Sequence, residues 1–559
     1  MTGNGYMVTW TFGNMLSLAM PKDSGNAWVE WDDFPLRPAP FMTVRNVRTD
    51  TGWNPDINAV LQLKVIARVF DACDTIIAAT DASREGEMLF RHIYRFLGCK
   101  QPCHRLWISS LTDEAILNGM ANLCPCNRFD KLFLAADSRN RADWLLGVNS
   151  SYAICKAVGF GNNSLGRVQT PVLAAISRRY RERENHISID SWPVFASLCK
   201  DNRIIKMCHV EDFDNRRYAL ELYEDCKAIR DARITAVSRN TEEVVAPALY
   251  NLTELQKDAN RYHGLTAIQV QEITQSLYER KLISYPRTAN RSLTEDVQAA
   301  LPPIMEKILA GKEFRRYADR VDFTTSRTAD DTGDTMDHHA IIATGIRPGE
   351  LNREEMLVYT LVVGRMLETF MPPCKVEYMT VDAVCAARKF SVRMHRILEK
   401  GWLDVFGREG LIAKGCDSSP VFPEFTQGEL VPVAGCSVIH KKSLPVSPCT
   451  AAELIEYMDD AGLETVSTRT NIIRTLLERK YIRYSGKYII PTPKGLFFYE
   501  TVRGMRVADA SLTSGWEAEL ARIEQGKLTQ EEFLDEVLEL VREVTDEIRQ
   551  IHRSKKEPV

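Results

Sequence analysis

Strand-rich and helical stretches alternate in long blocks along this chain, and both must be accommodated in its fold. From about 192 to 245 apolar and polar residues alternate, as in "SWPVFASLCK", which predicts strands. Residues 250 to 285 carry helical periodicity, as do 351 to 371. From 376 to 445 the strand pattern returns, as in "VEYMTVDAVCAARKFSVRMHRILEKG", and the C-terminal part is helical again. At 559 residues the chain is too long for one core, and three or four domains are expected.

The bulk numbers narrow the class. Apolar residues make up 45% and charged residues 26%, an ordinary globular balance, with no apolar run of about 18 residues to cross a membrane. The start, "MTGNGYMVTWTFGN", has neither the basic nor the smooth apolar region of a signal peptide. Net charge is −4, which argues against a surface coated in phosphate contacts and leaves local grooves open. Fourteen cysteines are scattered without paired zinc-finger spacing, so reduced cytosolic thiols are expected.

Four short stretches could carry chemistry. "DTIIAAT" (74–80) reads as a buried strand and "REGEMLFRHIYRFLG" as the helix after it. The turn between them puts Asp81 at the strand's C-terminal end, with Glu85 and Glu87 entering the helix. Ligands of α/β sheets collect at that edge, and carboxylates there suit Mg²⁺; acids at a helix start are equally explained by its dipole. In "LYERKLISYPRT" (277–288) the helix stops at Tyr285-Pro286-Arg287. A guanidinium beside Tyr285 favours phenolate and can bind a phosphate oxygen; a tyrosine packed at a helix end is the plainer reading. "MDHHAIIATG" (336–345) sets two histidines before an apolar run, and "SLGRVQTP" (164–171) sets Arg167 and Gln169 near a helix start. One internal echo stands out: "LYERKLISY" and "LLERKYIRY" (476–484) share six of nine residues. The second copy continues into "SGKYIIPT", with Ser485-Gly486 as a hairpin turn, a winged-helix pattern. Thr450 and Glu453, and Thr529 and Glu532, form capping boxes, and Phe533, Val537, Val541, Val544, Ile548 and Ile551 mark an apolar stripe.

Taken together and in this order, "TDASREGE", "LGRVQTP", "LISYPRT", "DHHAII" and "GLETVSTRTNII" (462–473) resemble the motifs of type IA DNA topoisomerases, within them the topoisomerase III branch. The resemblance covers essentially the whole chain. It implies a multidomain α/β, β-arch and helical toroid: a Toprim domain lacking its first strand (1–125), a helical base (126–190 and 446–559, the second part winged-helix-like), a β-rich arch (191–249 and 373–445), and a helical domain bearing the nucleophilic tyrosine (250–372). Tyr285 would attack a phosphodiester of single-stranded DNA, forming a 5′-phosphotyrosine link, with Arg287 and His338 assisting; strand passage and religation follow without ATP. Asp81 and Glu85 would hold Mg²⁺. Asn14, Arg139, Ser164, Leu165, Gly166, Arg167, Val168, Gln169, Ser467, Thr468 and Arg469 match DNA-binding positions. A cytoplasmic, nucleoid-associated monomer acting on single-stranded or negatively supercoiled DNA, with a helicase as partner and no membrane, is what the family implies.

The sequence also departs from the pattern. The family's opening "AEKPS"-type segment, with its general-acid glutamate and lysine, is not found in the chain, and N-terminal truncation is the expectation. Ser83 stands where many members carry aspartate, Asn14 where the branch has histidine, Ala289 where aspartate is usual, and Ala343 where proline is usual. The alternative expectation is therefore a catalytically impaired homologue that binds single-stranded DNA.

Overall fold

The computed structural model describes residues 5–24, 29–49, 52–108, 113–158, 163–322, 338–412, 417–418, 422–466 and 468–554. Near the N-terminus, two short antiparallel ladders pair Leu16–Leu18 with Met42–Val44 and Asn46–Thr49 with Gly52–Pro55. Strand β1 (Ile76–Ala78) then leads through the acidic turn into helix α1 (Arg84–Phe96). It lies parallel to β2 (Cys103–Arg105), and β2 pairs antiparallel with Cys124–Pro125. That register sets Cys103 opposite Cys126, with Cα atoms 5.7 Å apart, and the two form a disulfide. The expectation of uniformly free thiols therefore fails at this pair, because a cross-strand register cannot be read from cysteine spacing.

Helices α2 (Asp130–Val158) and α3 (Gln169–Glu184) follow, then strands β3 (Val194–Lys200), β4 (Arg203–His209) and β5 (Asp231–Val244). The chain leaves the sheet for α4 (Leu252–His263), α5 (Ala267–Glu279), α6 (Glu295–Leu309) and α7 (Arg353–Phe370). The polar stretch expected as a loop at 323–339 lies outside the described residues up to 337. The chain then re-enters the sheet through β6 (Cys374–Cys385), β7 (Arg388–Glu399) and β8 (Leu430–Val438). All of these strands belong to one seven-stranded sheet, in the order β4-β3-β8-β5-β6-β7 with Asp417–Ser418 at the edge. β5 and β6 pair antiparallel from Arg233/Val384 to Val244/Cys374. A further β4–β7 pairing at Cys208/Ser391 and His209/Phe390 closes the ladder on itself. The helices α4 to α7 are thus an excursion whose two ends leave and rejoin neighbouring strands.

The C-terminal part opens with β9 (Cys449–Thr450), α8 (Ala451–Asp460) and α9 (Arg469–Glu478). Thr450 caps α8 in the reciprocal box with Glu453 that the sequence predicts. The hairpin β10 (Ile482–Ser485) and β11 (Tyr488–Pro491) completes a three-stranded sheet in the order β9-β11-β10. Its turn residues are Gly486 and Lys487, one place beyond the expected Ser485-Gly486, because Ser485 still pairs with Tyr488. Helices α10 (Ser511–Glu524) and α11 (Gln530–Ser554) end the fold. The stripe of α11 is core: Phe533, Val537, Val541, Val544 and Ile548 are buried, in one cluster with α2 and α3. Among the described residues no helix is long and apolar enough to cross a membrane.

Candidate active site

Backbone chemistry explains how Tyr285 is held. Helix α5 ends in a Schellman motif: Leu282 N–H donates to the Leu277 carbonyl (2.9 Å) and Lys281 N–H to that of Tyr278 (2.8 Å). Lys281 takes the left-handed conformation, φ 59°, normally left to glycine. The chain leaves the helix extended and pairs with the segment after His338. Ile283 bridges Ala343. Ser284 N–H donates to the Ile342 carbonyl (2.8 Å), and Ser284 Oγ accepts from Ile342 N–H (2.9 Å) and donates to the Ala340 carbonyl (3.1 Å). Tyr285 and His338 therefore flank the same bridged pair of segments, 4.4 Å between ring centroids, and Tyr278 meets the Tyr285 ring edge-on at 5.4 Å.

The acidic turn is built as tightly. Ser83 caps α1, its hydroxyl accepting from Gly86 N–H (3.1 Å). Residue 86 must be glycine, since a Cβ there would lie 2.1 Å from the Asp81 carbonyl oxygen. The helical twist separates the two glutamates. Glu87 is fully buried, paired with Arg91 (2.8 Å) and Arg105 (3.1 Å), whereas Glu85 faces a cavity. That cavity, 570 Å³, is lined by Asp81, Glu85 and Arg139 on one side and by Tyr285, Arg287 and His338 on the other. Residues some 200 positions apart in sequence thus meet in one cleft.

The electrostatics bear out the direction expected of Arg287 but not its dominance. Burial, and then the charge of Asp81, push the Tyr285 phenol up to about 12, and the nearby Arg287 only partly opposes this. The resting phenol is therefore protonated rather than poised as phenolate. Burial likewise holds His338 below the ordinary histidine range, against the pull of Asp81. Burial also raises the Glu85 carboxyl; Arg139 opposes the rise, and the neighbouring carboxylates Glu464, Asp81 and Glu517 add to it.

The arginines and their neighbours are tied into ion pairs and hydrogen bonds around the cleft. Arg139 lies among Glu464 (2.8 Å), Glu517 (3.7 Å), Glu85 (3.8 Å) and Asp143 (3.9 Å). Arg167 is buried, bound to Asp143 (2.8 Å) and Glu464 (3.5 Å). Leu165 and Val168 are core residues and Ser164 is buried, so their side chains pack inside the protein. Gly166 and Gln169 are half-buried, and Gln169 bonds the Ser164 hydroxyl (3.1 Å). Arg469 lines the cavity and ties to Asp459 (2.6 Å) and Thr253 (3.0 Å). Thr468 donates to Glu464 (2.8 Å). Asn14 is exposed, its carbonyl taken by Arg45, and does not line the cavity; Ser467 lies outside the described residues.

A family model described as DNA topoisomerase matches residues 127–535. The chain belongs to the type IA DNA topoisomerases. Among similar proteins, a "DNA topoisomerase 3" of Bacillus licheniformis is 29% identical over 98% of this chain and 78% of its own length. One of Bacillus thuringiensis strain Al Hakam is 30% identical with the same coverage. In fold, the chain matches the full-length topoisomerase I of Thermotoga maritima with a TM-score of 0.71, over 98% of this chain and 87% of that one, at 22% identity. Against this type IA frame, sequence reading missed Arg84, Glu464, Glu517 and Glu524, all of which line the cleft. Arg84 bonds Glu524 and Glu517 (the latter at 2.8 Å) across more than 430 residues. Glu464 sits inside a quoted motif, and its φ of 64° shows a residue held in a costly conformation at the site; a lone glutamate carries no sequence signal of that.

Proposed function

We propose that this DNA topoisomerase cleaves one DNA strand with Tyr285 as nucleophile. The observation that carries the reading is the single cleft where the phenol, Arg287 and His338 face Asp81 and Glu85. Tyr285 Oη bonds to the phosphorus of a scissile phosphodiester, and the bond from phosphorus to the 3′ oxygen breaks. The phenolic proton leaves and the 3′ oxygen ends as a hydroxyl, so the step is proton-neutral overall and the reverse attack reseals the strand. No oxidant or nucleotide hydrolysis is required. Arg287 supplies a cation for the phosphate oxygens and works against the raised phenol pKa. His338 supplies a neutral imidazole against the Tyr285 ring.

The donor set fits Mg²⁺. Asp81 and Glu85 are hard oxygen ligands, and among the described residues no three His, Cys, Asp or Glu side chains group to hold an ion by themselves. Two carboxylates completed by phosphate and water are what Mg²⁺ accepts. A bound cation would relieve the crowding of Glu85 by Glu464, Asp81 and Glu517, which Arg139 already opposes. When bound there, the ion would offset phosphate charge; the chain's own residues do the positioning.

The test is a denaturing-gel assay on an end-labelled single-stranded oligonucleotide with Mg²⁺. A covalent adduct is expected, lost in Tyr285→Phe while oligonucleotide binding persists within about twofold. An unchanged adduct in that variant, or none in the wild type, overturns the reading. Binding without any adduct would instead identify a single-strand-binding homologue.

A further inference from the structure

A second cavity, 520 Å³, adjoins the cleft across Tyr285 and His338, which line both. Its character is different. Tyr278, Ile283, Val297, Ile304 and Ile342 make its walls, and Ala300 projects from α6. Three polar groups of its lining are already engaged: Ser284 Oγ with Ala340 and Ile342, Thr344 Oγ1 with the Lys281 carbonyl (2.6 Å), His339 Nδ1 with the Ala340 carbonyl (2.7 Å). Glu279 and Lys281 at the edge cancel in charge. Such a site takes a flat, neutral group by contact and stacking on its faces, and its size suits a small ligand.

A nucleic acid offers such a group beside every phosphate. Every residue of the cavity lies between 278 and 344, the segment that also carries Tyr285. The cavity therefore travels with the nucleophile and keeps its place relative to whatever Tyr285 holds. We propose that it receives the base of the nucleotide whose 5′-phosphate becomes linked to Tyr285, orienting that end for attack and for religation. This rests on the reading of Tyr285 as the DNA-cleaving nucleophile. Because base stacking on apolar and aromatic walls is sequence-tolerant, purines and pyrimidines are both accepted.

The experiment uses the full chain, Mg²⁺ and a single-stranded oligonucleotide whose cleavage position has been mapped. An abasic residue at the linked nucleotide is expected to slow adduct formation roughly tenfold, the scale of one lost base contact. An abasic residue two positions further along the 3′ side is expected to change it less than twofold. Ala300→Phe fills the cavity from α6 and is expected to slow cleavage of the intact oligonucleotide to a similar degree, with no added loss on the abasic one. Ile304→Phe serves as a second filling variant should Ala300→Phe not fold by circular dichroism. Equal cleavage of the abasic and intact oligonucleotides by wild type overturns the proposal, as does a folded filling variant that keeps full base sensitivity. No adduct with any oligonucleotide overturns the underlying reading instead, so the two failures are distinguishable.

Discussion

A tyrosine hydroxyl pushed up to about 12 is almost wholly protonated near neutral pH, so its environment must help only once a phosphate is present. The causes are legible side by side: burial and Asp81 raise it, Arg287 lowers it. Two consequences follow for Arg287→Ala. The phenol loses the cation that holds its pKa down, and the phosphate loses a bidentate donor. Single-turnover adduct formation is expected to fall at least tenfold, and Arg287→Lys to recover part of the loss. The sign with pH is fixed by the raised value. Below about 12 the phenolate fraction grows roughly tenfold per pH unit, so wild-type cleavage climbs from pH 7 to 9.5, with the alanine variant below it throughout. Rapid-quench cleavage across that range checks both. A flat wild-type profile removes the phenolate from the rate, and an alanine variant that matches wild type removes Arg287 from the site.

At the scale of elements, local rules carried a long way. The alternation in β3 and β6, the Thr450 cap of α8 and the stripe of α11 stand where propensity and periodicity put them. The turn at Tyr285 was legible as a break, because proline forbids the helix beyond it. What could not be read was long-range charge pairing: Arg139 with Glu464, Arg84 with Glu517, and the interior of α4 and α7. There Asp258 accepts from Tyr250 (2.7 Å), Arg365 (2.8 Å) and Arg408 (3.0 Å), while Arg365 also binds Glu368 (3.0 Å). Each pair depends on which helices meet, and periodicity is silent on that. Glu368 is fully buried, and its burial pushes the carboxyl up to about 7 despite Arg365 and Arg408, with Asp258 adding to the rise. The folded state then keeps a proton that the unfolded chain releases near 4.5. Stability is lost as pH rises from about 4.5 to 7 and levels off above, by up to about 3 kcal/mol. Glu368→Gln should remove that slope. The check is the melting temperature of both proteins between pH 5 and 8; parallel curves would assign the slope elsewhere.

At the scale of the molecule, the alternation of strands and helices becomes a helical body inserted between two strands of one sheet. Helices α4 to α7 hang from β5 and β6 in one closed sheet, and their core is their own, running from Leu249 to Leu403 with Val466 as a visitor from the C-terminal part. In return Ala267 alone among the residues of α4 to α7 joins the core of α2, α3 and the C-terminal helices. The seam between the two bodies is otherwise polar. Arg469 meets Thr253 (3.0 Å), Gln256 meets Thr470 (3.2 Å), and Lys257 bridges Glu254 (2.8 Å) and Glu456 (2.6 Å). Interfaces that carry several hydrogen bonds and ion pairs, as this seam does, are of the kind that allow relative domain motion. On the proposed reading of Tyr285, strand passage would part this seam. Lys257 is mostly buried and Glu456 half-exposed, so the pair is worth on the order of 1 kcal/mol. Lys257→Glu places three carboxylates together and Glu456→Lys two ammonium groups, so each loosens the seam and should change the rate of supercoil relaxation by about fivefold. The double exchange restores an opposite-charge pair across the seam and should return the rate to within about twofold of wild type. Strictly additive effects in that cycle would show that the pair does not govern opening.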